Sequence, residues 1–276
     1  MSVSLSVVIP AYNEAERLGS SLDSVVQFLK DYPHSSELIV VDDGSVDDTV
    51  LVARQALKKA EGFQTRLIQY QPNRGKGFAV RTGLLAARAP IALFSDADLS
   101  TPITEIPKLV RMIERNECDV AFGSRTLDRK LIGIRQPWRR ELGGRVFNRI
   151  VRLITRLPAS DTQCGFKAFR METCRPLLEA AKIDRFAFDV ELLYLAQLAG
   201  LRIRDCAVRW DHFEGSKVSF MRDSVRMFSE VLAIRQRARK GQYDLALNAA
   251  RQRALSLRRR RLEAGGRSSR LQERLA

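Results

Sequence analysis

An α/β fold, with a mostly parallel central sheet and helices on both faces, is predicted by three observations. Short apolar runs alternate with segments of helical periodicity through the first half of the 276 residues. Each apolar run ends in a polar cluster: AYNE, DDGS, NRGKG, DADLS and GSR in turn. Ligands of open parallel sheets bind at the carboxyl ends of the strands, so these clusters would line one crevice.

The elements follow in order. LSVVIP (5–10) reads as a strand, followed by a helix from about Glu14 to Asp31 with Leu18, Leu22, Val25, Val26 and Leu29 on one face. ELIVVDDGS (37–45) is a second strand, after which Asp47 or Asp48 can cap a helix running to about Ala60. TRLIQY (65–70) is a third strand, and GKGFAVRTGLLAAR (75–88) a helix opened by glycines. PIALFS (90–95) and DVAFGS (119–124) are further strands, with a helix over 103–115 between them. Two amphipathic basic segments, 137–158 and 218–240, read as helices.

Composition excludes several classes. No run of 18 apolar residues is present, so no membrane-spanning helix is expected. The N-terminus reads as a first strand, not a signal peptide. Four widely spaced cysteines, without a Cys-x-x-Cys pair, suit reduced thiols in a cytoplasmic protein. Two histidines exclude a multi-histidine metal site. The net charge of +15 is unevenly placed: 13 Lys+Arg and 3 Asp+Glu lie between Arg235 and Ala276. That end is expected to be a separate basic tail, partly helical, which suits an anionic membrane surface or plain solvation. Nucleic acid is not expected, because no nucleic-acid-binding motif is visible.

Asp96 and Asp98 end a buried run one residue apart. An extended backbone points them the same way. Two like charges then raise each other's pKa unless a cation joins them. Mg²⁺ is commonly held by one or two carboxylates and completed by substrate phosphates. Asp42 and Asp43 repeat the theme at the second strand's end, where one of them can accept from a base N–H or a ribose hydroxyl. Lys76 lies at a glycine-flanked helix start that favours anions. Neither a Walker sequence nor a dinucleotide fingerprint is present.

Taken together, VVIPAYNE, VDDGSVDDT, NRGKGFAVRTG, DADLS, GSR and SDTQCGFKAFR resemble the inverting family-2 glycosyltransferases of the GT-A nucleotide-sugar fold. DTQCGFKAFR and FDVELL make the chain most similar to the dolichyl-phosphate β-glucosyltransferase and polyprenyl-phosphate hexosyltransferase branch. The resemblance covers about Ser4 to Ser219. It implies a GT-A domain over 1–220, to which the amphipathic pattern adds a helix over 221–243 and the charge distribution a basic tail over 244–276. Pro10, Tyr12, Glu14 and Asp43 would hold the nucleoside, and Asp96 and Asp98 would bind Mg²⁺ or Mn²⁺ on the donor diphosphate. Arg125, with Arg140 or Arg145, would meet acceptor or donor phosphates. Asp161 and Gln163 are candidates to orient the donor sugar, and Ser216 and Lys217 to close over the diphosphate as a lid.

The implied reaction moves a hexose, UDP-glucose being favoured over GDP-mannose as donor, to a polyprenyl or dolichyl phosphate. Such an acceptor is already an anionic nucleophile and needs no strong base. A sugar hydroxyl would need one, for which Asp189 is the candidate. The implied location is cytoplasmic, peripheral on the inner face of a membrane. Two alternatives stand beside this: a soluble family-2 transferase with a sugar or small phosphorylated acceptor, and a non-catalytic nucleotide-sugar or nucleic-acid binder.

Overall fold

The structure, a computed structural model, describes residues 3–134, 138–159, 161–211 and 220–275. The first strand, β1 (Leu5–Ala11), leads into α1 (Ala15–Asp31). Then come β2 (Ser36–Asp42), α2 (Thr49–Lys58), β3 (Gln64–Gln69), α3 (Lys76–Ala86) and β4 (Ile91–Ser95). A single 3₁₀ turn, Ile103–Glu105, precedes α4 (Ile106–Glu114) and β5 (Val120–Ser124). The second half holds α5 (Trp138–Thr155), β6 (Phe166–Arg170), α6 (Met171–Ala180), α7 (Phe188–Leu198), β7 (Ile203–Ala207), α8 (Phe220–Arg239) and α9 (Asp244–Leu275).

Among the described residues the strands form one seven-stranded sheet in the order β3-β2-β1-β4-β6-β5-β7. All pairings are parallel except those of β6, which runs antiparallel between β4 and β5. Chain order reverses between β1 and β4, which opens a crevice at their carboxyl ends. Residues alternate between two cores. Val7, Ile9, Leu38, Val40 and Leu93 pack under α1, α2 and α4, while Val8, Ile39, Val41, Phe94 and Phe169 pack under α3, α6, α7, α8 and α9. Strands buried on both faces explain why the runs read as continuous apolar stretches.

Two strands lie outside the sequence expectation. β6 carries a lysine at its second position and an arginine at its last, and β7 (IRDCA) has weak alternation. The expected extended geometry across Asp96–Asp98 is also replaced. Leu99 N–H donates to Asp96 O (3.1 Å) and Leu99 has φ 48°, so a tight turn, not a strand, carries the two carboxylates.

The C-terminal segment is not a detached tail over its first half. Ala250 (0% exposed) and Ala254 (4%) of α9 belong to the core shared with α6 and α7. Just before α9, the Tyr243 hydroxyl donates to Glu191 Oε1 at 2.6 Å. Arg251 donates to Leu198 O (3.0 Å), and Arg260 pairs with Glu172. The small residues of this strip let a helix of strongly basic composition lie close on its neighbours.

Truncation after Tyr243 is therefore expected to destabilise the domain rather than trim it. Uncovering this strip should remove roughly 3 kcal/mol, lowering the melting temperature by about 6–12 °C. Thermal unfolding of the truncated chain checks this; an unchanged transition would show that α9 contributes nothing.

Candidate active site

The crevice is built on backbone loops that hold one another. Asn13 has φ 51°, its N–H donates to Ser45 Oγ (2.8 Å), and its Oδ1 accepts from Val46 N–H (2.9 Å). Asp47 accepts from Thr49 N–H (3.0 Å) and Ala15 N–H (3.3 Å), joining the starts of α1 and α2. The AYNE and DDGS clusters thus form one surface. Tyr12 is 38% exposed on it, while Pro10 closes β1 opposite Val41. Glu14 forms a two-point ion pair with Arg17, and its N–H donates to Thr49 Oγ1 at 2.7 Å.

The adjacent aspartates separate by partner. The Asp43 carboxylate accepts from four protein donors: Tyr70 Oη (2.9 Å), Asn73 Nδ2 (2.8 Å), Arg74 N–H (2.9 Å) and Gly75 N–H (2.8 Å). Burial pushes the Tyr70 phenol up, and the Asp43 charge adds to it. Asp43 therefore shapes the loop that ends in Lys76. Among the described residues Asp42 accepts only from Ser45 N–H at 3.2 Å, and its Oδ1 is buried without a hydrogen-bond donor. Of the two, Asp42 retains acceptor capacity, though both are buried.

Lys76 is presented by Gly75, whose φ of 115° is open to glycine and whose Cα lies against Asp184 O; a Cβ there would sit 2.5 Å from that oxygen. The Lys76 ammonium reaches Asp96 Oδ1 at 2.6 Å, both side chains 29% exposed. Asp96 is enclosed by protein on the sides away from the crevice. A Cβ on Gly165 would fall 2.0 Å from Asp96 Oδ2, and Asp96 N–H donates to Gly165 O (3.0 Å). Burial raises the Asp96 carboxyl, with Lys76 pulling against it and Asp98 adding to it. Burial likewise opposes charge on Lys76, but Asp96 and Asp189 outweigh it and hold the ammonium above the ordinary lysine range. Asp98 Oδ1 accepts from Ser100 N–H (2.9 Å) in the turn. Arg17 titrates above its ordinary value because of its bond to Glu14, and the charges of Asp98 and Asp96 also act on it. This places the AYNE and DADLS clusters in one electrostatic field.

Two further ion pairs wall the site. Arg125 makes a fork-like contact with Asp161: Nε to Oδ2 at 2.6 Å and Nη2 to Oδ1 at 2.8 Å. It also lies over the Trp210 ring, 5.4 Å from the centroid. Burial would raise the Asp161 carboxyl, but the Arg125 guanidinium outweighs it and holds it below the usual range. Asp161 is thus the partner of Arg125, two residues predicted to act separately. Gln163 Nε2 faces Met227 Sδ of α8 at 3.7 Å. Lys167, absent from the sequence expectation, is 0% exposed on β6; its ammonium donates to Cys164 O (2.6 Å) and lies 2.7 Å from Asp189 Oδ1. Burial raises the Asp189 carboxyl against the opposing pull of Lys167 and Lys76. Glu191, two residues on, accepts from Lys182 N–H, Ile183 N–H and Tyr243 Oη, so its role is to anchor α7. Ser216 and Lys217 lie outside the described residues, as do the side chains of Arg140 and Arg145.

The four cysteines are free thiols. Burial pushes Cys164 up to about 11, which leaves it a packed, protonated group beside the crevice.

The donor set fits a hard divalent cation. Asp96 Oδ1 is held by the Lys76 ammonium, and Asp98 follows within the same turn, so two hard oxygen donors stand one residue apart. Among the described residues no group of three or more His, Cys, Asp and Glu side chains is gathered to hold a metal. Two carboxylates with the remaining positions open suit a cation that arrives with a phosphate ligand.

The Arg125–Asp161 pair makes a testable contribution. Asp161 binds its proton less readily folded than unfolded, so its contribution is present above about pH 4 and is lost as pH falls through the lowered folded value. Asp161→Asn is expected to cost about 3 kcal/mol at pH 7, by leaving Arg125 unpaired. Its melting temperature should also fall less steeply than that of the wild type below pH 4. Parallel acid limbs for the two proteins would remove this assignment.

Comparisons with known proteins identify the family and the fold. The glycosyl transferase family 2 profile matches residues 6–178. The dolichyl-phosphate β-glucosyltransferase of Dictyostelium discoideum is 38% identical over 248 residues, covering 86% of this chain and 75% of that protein. The Homo sapiens dolichyl-phosphate β-glucosyltransferase is 36% identical over 252 residues, covering 87% and 78%. Among solved structures, glucosyl-3-phosphoglycerate synthase from Mycobacterium tuberculosis, in complex with Mn²⁺, UDP and glucosyl-3-phosphoglycerate, superposes with a TM-score of 0.60 at 20% identity, covering 84% of this chain and 78% of that one. That likeness establishes a shared fold, the GT-A fold. With the profile match over most of the chain and these identities, the chain belongs to glycosyl transferase family 2.

Proposed function

We propose that this hexosyltransferase moves glucose from UDP-glucose to a polyprenyl or dolichyl phosphate with inversion. The carrying observation is the meeting of Asp96, Asp98 and Lys76 at the ends of β4 and the loop after β3, beside Arg17 and the Arg125–Asp161 pair. Displacing a nucleoside diphosphate from an anomeric carbon develops charge on the leaving oxygen, which fixed cations stabilise. Asp96 and Asp98 would hold Mg²⁺ or Mn²⁺, which supplies part of that stabilisation when bound. Tyr12, Pro10 and Asp42 line the nucleoside end, with Glu14 and Asp43 setting its loops. Arg125, held by Asp161, would meet a phosphate. Arg140, Arg145, Ser216 and Lys217 are proposed for the acceptor side.

A phosphate monoester acceptor arrives ionised. Nothing then has to be deprotonated by Asp189, whose carboxylate is engaged by Lys167. The relatives' names support the same acceptor. A hydroxyl acceptor is the second reading, favoured by the upward shift of Asp189, which suits a general base. No described helix is long and apolar enough to cross a membrane. Peripheral access to a lipid on the cytoplasmic face is part of this proposal. The exposed Leu153 of α5 and Phe228 and Leu232 of α8, among arginines, suit an anionic leaflet.

The test is transfer of labelled hexose from UDP-glucose and GDP-mannose, with and without polyprenyl phosphate. Transfer from UDP-glucose that depends on the lipid phosphate is expected; transfer only to soluble hydroxyl acceptors would support the second reading. Asp98→Asn should lower turnover at least ~100-fold while leaving the melting temperature unchanged. Full activity of that variant, or of wild type in excess EDTA, would remove the metal.

Asp189→Asn separates the two acceptor readings once the stranded Lys167 is also neutralised. The double variant Asp189→Asn, Lys167→Met is expected to fold and to retain transfer to a lipid phosphate within about ten-fold. A loss of ~100-fold or more, the usual contribution of a general base, would make Asp189 that base.

A further inference from the structure

Two lysine–aspartate pairs stand side by side in the crevice, and they differ in kind. Lys167 and Asp189 are sealed: their side chains are 0% and 6% exposed, and Lys167 is also tied to Cys164 O. Lys76 and Asp96 are both 29% exposed. Asp189 and Asp98 also act on Lys76, so the ammonium lies within a field of three carboxylates. Asp96 is otherwise walled. Gly165 lies against Oδ2, where a Cβ would fall 2.0 Å away, and Oδ1 is held by the ammonium at 2.6 Å. The ammonium covers Asp96 Oδ1, so a cation that takes this oxygen has to displace it.

We infer that Lys76 is a displaceable counter-ion: it neutralises Asp96 in the empty crevice, yields that carboxylate to a divalent cation, and turns its ammonium to the diphosphate that arrives with the cation. This rests on the reading of Asp96 and Asp98 as a metal site. A buried carboxylate left unpaired is costly, so the empty site needs an internal cation. Replacement of a monocation by a dication at Asp96 releases Lys76 into a site whose incoming ligand is an anion. Metal alone must break the Lys76–Asp96 pair and set a dication beside the displaced ammonium. Metal with nucleotide breaks the same pair and supplies a new one. The lysine thereby couples the two ligands, and coupling of this kind is reciprocal. Lys167 cannot exchange in this way, because it has no route to the crevice mouth without opening the core.

The experiment measures Mn²⁺ binding to the full chain by the loss of the free aqua-ion's electron paramagnetic resonance signal, with and without UDP. In the wild type, UDP is expected to tighten Mn²⁺ about ten-fold or more. Lys76→Met is expected to bind Mn²⁺ alone about ten-fold more tightly than wild type, and to gain several-fold less from UDP. Lys76→Arg keeps the charge and should keep Mn²⁺ alone weak. Lys76→Gln serves if the methionine variant fails to fold. Equal affinity of wild type and the neutral variants for Mn²⁺ alone, or an undiminished gain from UDP, overturns the inference and leaves the metal reading standing. Mn²⁺ bound by none of the proteins, with or without UDP, removes the metal reading and this inference with it.

Discussion

The parallel strands end together, and that forces acidic side chains into one crevice; the rest of the structure answers this constraint. Asp42, Asp43, Asp96, Asp98, Asp161 and Asp189 gather around the ends of β1, β2, β4 and β5. Like charges at this density raise one another's pKa unless each finds a partner. Three solutions are used. Asp43 is surrounded by four donors from a single loop. Asp161 and Asp189 take buried or half-buried cations, Arg125 and Lys167. Asp96 takes Lys76 at the open edge. The carboxylate with the most accessible partner is also the one placed to exchange it.

These different solutions account for which residues were legible in the sequence. The strand ends and their motifs were readable because a two-sided parallel sheet needs continuous apolar runs, and charges can only follow where those runs stop. The Asp-x-Asp pair was readable for that reason, although its geometry is a turn with Leu99 in the left-handed region. Lys167 was not readable. It interrupts the short strand FKAFR, and a lysine there looks like evidence against burial. Only the tertiary position of Asp189, from a helix more than one element away, gives that lysine its reason. The pairing of Arg125 with Asp161 was hidden likewise, since each falls in a separate motif that, read alone, offers a charge to a ligand. The assignment of nucleoside contact to Asp43 met a related limit. Adjacent aspartates are indistinguishable in sequence, and only the loop from Tyr70 to Gly75 reveals which one the protein has used for itself.

The basic C-terminus shows the opposite error, in which composition speaks too loudly. Thirteen cations in the last stretch conceal a strip of small residues, Ala250 and Ala254, on one side of the helix. Charge counting treats the segment as uniform, whereas a helix has faces, and long arginine side chains can leave the buried face while their stems cover its edges. The same property makes an outer basic surface compatible with a packed inner one.

That packing reaches the site through a short series of contacts. The Tyr243 hydroxyl, at the entry to α9, holds Glu191 of α7. Glu191 also accepts from the Lys182 and Ile183 amides, and so fixes the loop that precedes α7. Asp184 O in that loop accepts from Phe78 N–H at 3.0 Å and lies against Gly75, the residue that presents Lys76. The buried Glu191 therefore links the C-terminal helix to the first turn of α3. Asp189 starts the same helix that Glu191 anchors, so the two lysine–aspartate pairs share one support. A carboxylate that performs no chemistry is in this way as necessary to the site as those that face it, and the motif FDVELL joins both kinds within three residues.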